Sequence, residues 1–189
     1  MAVPARVLLV HGLWYGRPSM LPLAGRLQKR GWNCTLFGYS SVFGRAADNI
    51  ARLAERAAGA DGDPLHFVGH SLGGLLILKM LAGSGGSLPG GRVVLLGSPL
   101  NGSTVARRMA GNRVLKPSIG RAEALLDQGM EHLPEGREVA AIAGTSSLGA
   151  GRLVARLPRP HDGTVSVAET KLPGLADHLD LPVSHTGLV

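Results

Sequence analysis

The chain has 189 residues, 44% hydrophobic and 17% charged, with a formal charge of +7. This apolar content excludes a disordered chain, and the length suits one domain over residues 1–189. Aromatic residues make up only 4% and the basic residues are scattered, which argues against nucleic-acid binding, while a single cysteine, Cys34, excludes an internal disulfide and any metal site built on paired cysteines.

The elements follow in order. MAVPARVLLVHG holds one arginine and a short apolar run, without the layout of a signal peptide, and no apolar run reaches membrane-spanning length, so a cytoplasmic location is expected. Arg6–Val10 (RVLLV) predicts a strand buried on both faces. Ser19–Arg30 has helical spacing through Leu23 and Leu27, with Gly31 as its stop. Trp32–Tyr39 predicts a second strand, with Cys34 in the core. Ala46–Ala58 predicts a helix with Ile50, Leu53 and Ala57 on one face. Leu65–Val68 predicts a third strand and Leu72–Leu81 a helix. Arg92–Leu96, Val139–Ala143 and His178–Val183 complete a set of about six strands.

Strands alternating with helices at this spacing imply an α/β architecture: a mostly parallel sheet with helices on both faces and right-handed crossovers. Residues 101–138 break the rhythm and predict one or two short helices outside the sheet, a candidate small cap. Residues 144–160 read as loop, from Gly144, Gly149, Gly151, Pro158 and Pro160.

Between the third strand and the helix after it lies VGHSLGG, residues 68–74. Gly69-His70-Ser71-Leu72-Gly73 is G-x-S-x-G in the strand–turn–helix context that gives the pattern its meaning. Such a turn strains the serine and holds its hydroxyl out at the C-terminal edge of the sheet. Leu72 then offers its backbone N–H at a helix start, where negative charge is favoured. A serine hydroxyl is a weak nucleophile and needs a base, and the base needs a carboxylate to fix its tautomer.

On such a sheet the acid and then the histidine follow the serine in the chain. The downstream acids include Asp127, Asp162, Asp177 and Asp180; the downstream histidines are His132, His161, His178 and His185. Asp162, in PRPHDGTVSV, and His185, in LPVSHTG, both fall where loops leave the C-terminal edge, and they form the preferred pair. Asp-Gly is also a common turn pair, so Asp162 has a purely local reading as well. Asp177 and His178 stand where the last strand begins and should face the other end. The second oxyanion donor must come from His11-Gly12-Leu13-Trp14, where Gly12 allows close approach and the N–H of Leu13 is the donor. Trp14 and Tyr15 are candidate substrate-binding residues. His11 should brace this loop and His70 should be a packed neighbour.

HGLW, GHSLGG, LGSPLNGS, PHDGTVSV and LPVSHTG stand in an order and spacing that resembles the α/β-hydrolase superfamily, in its small bacterial lipase and esterase branch, and more loosely the GPI-inositol-deacylase-like hydrolases. The resemblance spans nearly the whole chain. It implies an α/β-hydrolase fold with a minimal lid. It also implies Ser71 as nucleophile, Asp162 as acid, His185 as base, and Leu13 and Leu72 as oxyanion donors. In relatives a helix usually follows the histidine and covers one face of the sheet, whereas here four residues follow His185. The expected activity is hydrolysis of carboxylic esters through an acyl-enzyme, on a small-molecule acyl ester of short to medium chain, with no metal or cofactor. Thioester hydrolysis and acyl transfer use the same residues, and a non-catalytic scaffold on this fold is the rival from another class. The cluster Arg107, Arg108, Arg113, Lys116 and Arg121 reads as a solvated face, and its functional reading is weak attraction to an anionic lipid interface or substrate. The oligomeric state is not legible.

Overall fold

The computed structural model describes residues 5–59, 64–149 and 151–189. Residues 1–4 of the N-terminal stretch, residues 60–63, and residue 150 of the segment read as loop lie outside the described residues.

Six strands form one sheet: β1 (Arg6–Val10), β2 (Asn33–Phe37), β3 (Leu65–His70), β4 (Val93–Leu96), β5 (Val139–Gly144) and β6 (Asp177–Leu181). Their order is β2-β1-β3-β4-β5-β6, and every pair is parallel. The chain moves outward from β1 to β2, then returns to the other side of β1 for β3. This reversal opens a crevice at the carboxyl ends of β1 and β3, where ligands bind in open α/β sheets.

Alternation along β1 sends Leu8 and Val10 to one face and Val7 and Leu9 to the other. The first face packs against α2 (Ala46–Ala58), through Leu53 and Ala57, and against α3 (Leu72–Gly83). Leu75, Leu76, Ile77, Leu78 and Met80 are all buried on α3, because the helix lies between the sheet and other helices and, Lys79 apart, is apolar around its middle. The second face packs against α1 (Leu21–Gln28), through Ala24, and against Met20 in the turn before it.

The predicted strands and helices up to β4 are observed, with ends shifted by a few residues. The predicted helix 19–30 divides into a 3₁₀ turn over Arg17–Met20 and α1, with Pro22 within the first two positions of α1. Gly31 ends it in a left-handed conformation, φ 87°. Cys34 is half-buried and packs beside the second-face cluster.

Residues 101–138 hold three short helices where one or two were expected: α4 (Thr104–Ala110), α5 (Lys116–Ile119) and α6 (Glu123–Gln128). They pack against one another and onto α3, adding Val105, Met109, Ile119 and Leu126 to the first-face core. The segment read as loop contains a further turn of helix, α7 (Gly151–Val154). Its glycines made it read as loop. Gly151 is required by packing instead, since a Cβ there would stand 2.6 Å from the Gly163 carbonyl oxygen. Among the described residues, no helix is long and apolar enough to cross a membrane.

Candidate active site

The parallel register aligns Val10 of β1 with Gly69 of β3. The chain therefore leaves both strands at the same level, with His11-Gly12 beside His70-Ser71. Ser71 has φ 53° and ψ −122°, a conformation that costs a non-glycine residue about 1–3 kcal/mol. Its backbone holds it there: the N–H donates to the Leu96 carbonyl at 2.9 Å, and its carbonyl accepts from Gly74 N–H at 3.1 Å.

The glycines around Ser71 are dictated by approach. A Cβ on Gly69 would stand 2.5 Å from Gly74 Cα, and one on Gly74 would stand 2.1 Å from Ser98 Oγ. Gly73 lets α3 lie against the end of β1, because a Cβ there would meet the His11 and Val10 carbonyl oxygens at 2.4 Å.

Asp162 sits in a turn closed by a bridge between His161 and Ser166. Its two carboxylate oxygens have separate partners. Oδ1 accepts from Thr164 N–H at 2.9 Å and Val165 N–H at 2.7 Å, which is the local turn role. Oδ2 accepts from His185 Nδ1 at 2.6 Å, and the His185 backbone N–H donates to the Asp162 carbonyl at 3.0 Å. Both side chains are buried. With Nδ1 donating to a carboxylate, Nε2 of the neutral imidazole carries the lone pair.

Ser71 and His185 line one cavity of about 270 Å³. The structure thus places Ser71 and His185 on one cavity, with Asp162 hydrogen-bonded to His185. It leaves His132 exposed, and it places Asp177 and His178 at the start of β6, where His178 Nε2 meets Thr170 Oγ1 at 2.8 Å. His161 is buried and its Nδ1 accepts from Gly163 N–H at 3.0 Å.

The loop after β1 is braced as a unit. His11 Nδ1 donates to the Gly12 carbonyl at 2.9 Å, its ring stacks on Tyr39 at 4.4 Å, and the Tyr39 hydroxyl donates to the His11 carbonyl at 2.9 Å. Burial lowers the His11 pKa, which favours the neutral ring, and its Nε2 accepts from Tyr39 N–H at 3.4 Å. Trp14 is left-handed, φ 63°, and its backbone N–H donates to Ser41 Oγ at 3.2 Å. Tyr15 N–H donates to the Gly12 carbonyl at 3.4 Å. Among the described residues the N–H of Leu13 has no such partner, and Leu72, as first residue of α3, has no acceptor within the helix. A Cβ on Gly12 would stand 3.0 Å from Ser71 Cβ, so the two turns touch.

Trp14 and Tyr15 both line the cavity. Trp14 is 56% exposed at its mouth, and its indole N–H donates to the Ser118 carbonyl on α5 at 2.7 Å. Burial first, and then the Asp162 charge, raise the Tyr15 pKa. The remaining walls are mostly apolar and include Val105 and Met109 of α4, Ile119 of α5, Leu126 of α6 and Val154 of α7, with Ser103, Thr164 and Thr186 among the polar residues. These wall residues were missed by the sequence reading, because short amphipathic helices do not reveal which partner they face. In the basic cluster, Arg107 pairs with Asp127 at 3.7 Å and Lys116 with Glu123 at 3.4 Å, both at the surface.

Glu169 was also missed. Its Oε2 accepts from Ser166 N–H at 2.7 Å, while Ser166 Oγ accepts from Glu169 N–H at 3.3 Å. This is the reciprocal Ser-x-x-Glu pattern of a capping box, legible in SVAE. The other oxygen, Oε1, accepts from Thr104 N–H at the start of α4, 2.6 Å away. The segment 101–138 is thereby tied to the loop that carries Asp162.

The sequence matches the model of an alpha/beta hydrolase family over residues 7–184. No curated protein sequence resembles it significantly. Among solved structures, the chain is similar to the mature form of lipase BlEst2 from Bacillus licheniformis, at 19% identity and a TM-score of 0.79, over 97% of this chain and 85% of that one. The propeptide form of the same lipase superposes with a TM-score of 0.83 at 20% identity, over 98% of this chain and 47% of that one. The metagenomic carboxyl esterase MGS0156 gives a TM-score of 0.72 at 20% identity, over 98% of this chain and 65% of that one. At these identities the likeness is one of fold; the match along nearly the whole chain goes further, and the chain belongs to the alpha/beta hydrolase family.

Proposed function

We propose that this protein is a carboxylic ester hydrolase that works through an acyl-enzyme on Ser71. The observation that carries the reading is a strained serine and a carboxylate-oriented imidazole opening onto one apolar cavity. In this reading His185 Nε2 takes the proton of Ser71 Oγ as the oxygen attacks the ester carbonyl. Asp162 fixes the tautomer and stabilises the imidazolium that forms. The N–H groups of Leu13 and Leu72 receive the oxyanion, where each such donor is worth about 2.7–4 kcal/mol. The imidazolium then protonates the leaving alcohol, and water attacks the acyl-enzyme by the same route.

The acyl chain lies in the apolar cavity, with α4, α5 and α6 acting as a small cap and Trp14 and Tyr15 at its mouth. A volume of about 270 Å³ supports short to medium acyl groups. The lipase and esterase named among the solved structures support this substrate class by analogy. The proposal includes a cytoplasmic location, which fractionation of the native host would test.

The deciding experiment is labelling with a fluorophosphonate probe followed by peptide mapping, beside a p-nitrophenyl ester series. Stoichiometric labelling at Ser71, lost in Ser71→Ala together with hydrolysis, is the expected result. A folded wild type that takes no label and cleaves no ester would overturn the reading in favour of a non-catalytic scaffold. Faster turnover of matched thioesters would redirect it to a thioesterase.

A further inference from the structure

His70 ends β3, one residue before Ser71, with its imidazole fully buried. Its Nε2 lies 3.0 Å from the backbone carbonyl oxygen of His185. A carbonyl only accepts, so Nε2 carries the hydrogen and donates it. Nδ1 is then a bare acceptor. It is buried with no hydrogen-bond partner among the described residues, and it faces Gly12, where a Cβ would stand 3.0 Å from it. The ring is neutral: burial, and then the His185 ring 4.6 Å away, push its pKa down to about 3.

A buried acceptor without a partner is a cost that leucine or methionine would avoid at this position. The benefit that offsets it is the Nε2–H donor. His185 stands in the loop after β6, and its other bonds there, from Nδ1 and from the backbone N–H, both go to Asp162. Those two bonds orient the base relative to its acid. They do nothing to register it against β3, the strand that delivers Ser71. The bond from His70 supplies that registration, since it joins the residue before the serine to the main chain of the histidine.

We propose that His70 is a positioning residue: its Nε2–H holds the His185 backbone so that the base stays in register with Ser71. The proposal rests on the functional reading above. It differs from a packing role, in which the ring merely fills space between Tyr15, 5.5 Å away edge to face, and His185. For a packing role, an apolar side chain of similar size should serve as well.

Two variants separate the alternatives. His70→Gln keeps an amide N–H near the Nε2 position, and His70→Leu keeps bulk without a donor. The measurements are kcat and KM on p-nitrophenyl butyrate, with hydrogen exchange of residues 182–188. In His70→Leu, kcat should fall about 10- to 100-fold with KM within about twofold, the scale expected when a reacting group is displaced by about 1 Å. Exchange in the His185 loop should quicken. His70→Gln should recover most of both. Equal losses in the two variants, or no loss in His70→Leu, would overturn the proposal. If His70→Leu does not fold, histidine-selective ¹⁵N NMR of the wild type decides: an Nε2–H tautomer at His70 supports the bond, and an Nδ1–H tautomer overturns it. A wild type without ester hydrolysis would sink the functional reading, and the exchange contrast between Leu and Gln would still judge the tether.

Discussion

Glu169 accepts the backbone N–H of Thr104 at 2.6 Å, joining the first turn of α4 to the loop that carries Asp162. The same buried carboxylate also serves Ser166 N–H and Oγ, at 2.7 and 3.0 Å. Replacing it with leucine leaves buried donors without acceptors, each costing about 1–3 kcal/mol. Glu169→Leu should therefore lower stability by about 3 kcal/mol in urea unfolding, and Glu169→Gln by less. A loss below about 1 kcal/mol for the leucine variant would mean that water satisfies these donors.

Asp162→Asn should leave the fold in place and remove turnover. An asparagine amide can donate to Nδ1 and select the wrong tautomer of His185, an effect worth about 10⁴-fold in kcat where such triads operate. Oδ1 should go on capping Thr164 and Val165, so near-wild-type thermal unfolding is expected beside the kinetic loss. A loss under tenfold would remove Asp162 from the proposed mechanism.

Gly12→Ala places a methyl group 3.0 Å from both Ser71 Cβ and His70 Nδ1. The loop must shift, and the N–H of Leu13 shifts with it. The expected result is a kcat lower by about 10²-fold with a modest change in KM, as when an oxyanion donor is displaced. Unchanged kcat would argue that Leu13 is not a donor.

Met109 and Val105 line the cavity from α4. Met109→Trp should shorten the accepted acyl chain. Each methylene that no longer finds a place forfeits about 0.8 kcal/mol, or about fourfold in kcat/KM. A p-nitrophenyl series from acetate to decanoate reads this directly. A parallel drop at every chain length, acetate included, would place the acyl group elsewhere.

His70 also links stability to pH. Its pKa is pushed down to about 3 in the folded protein, against an ordinary histidine value near 6.5 when unfolded. The unfolded chain therefore binds the proton first, and stability present above pH 6.5 declines as the pH falls towards 3. The decline from this group is about 1.4 kcal/mol per pH unit. His11, also lowered by burial, adds in the same direction. The groups facing His70 are His185, His11 and Tyr15. Urea midpoints at pH 7 and pH 5 should show a shallower slope in His70→Gln, and an unchanged slope would mean that His70 is not the group responsible.

The local signals in the sequence concerned short-range physics. Runs such as RVLLV and the 46–58 helix are specified by period and burial, so their positions were legible and β1 and α2 match the expected bounds. The turn at Ser71 was legible because its pattern is written in consecutive residues, Gly69 packing on Gly74 within it, although Gly73 and Gly74 also answer to β1 and Ser98. The Ser166–Glu169 box was equally local and was overlooked. The helices of residues 101–138 and the turn of α7 were blurred because segments of four to seven residues have too little period to read.

By itself, then, the sequence determined the alternation of strands and helices, the strained turn at Ser71, and the chain order of serine, acid and histidine. Only the tertiary structure decided which acid meets which histidine. It divided the Asp162 carboxylate between its own turn and His185, and brought His70 onto the His185 carbonyl, 115 positions away in the chain. The reason is one of range: period and turn chemistry act over a few residues and are written where they act. Hydrogen bonds across the sheet edge depend on register, and register is set by the packing of all six strands together.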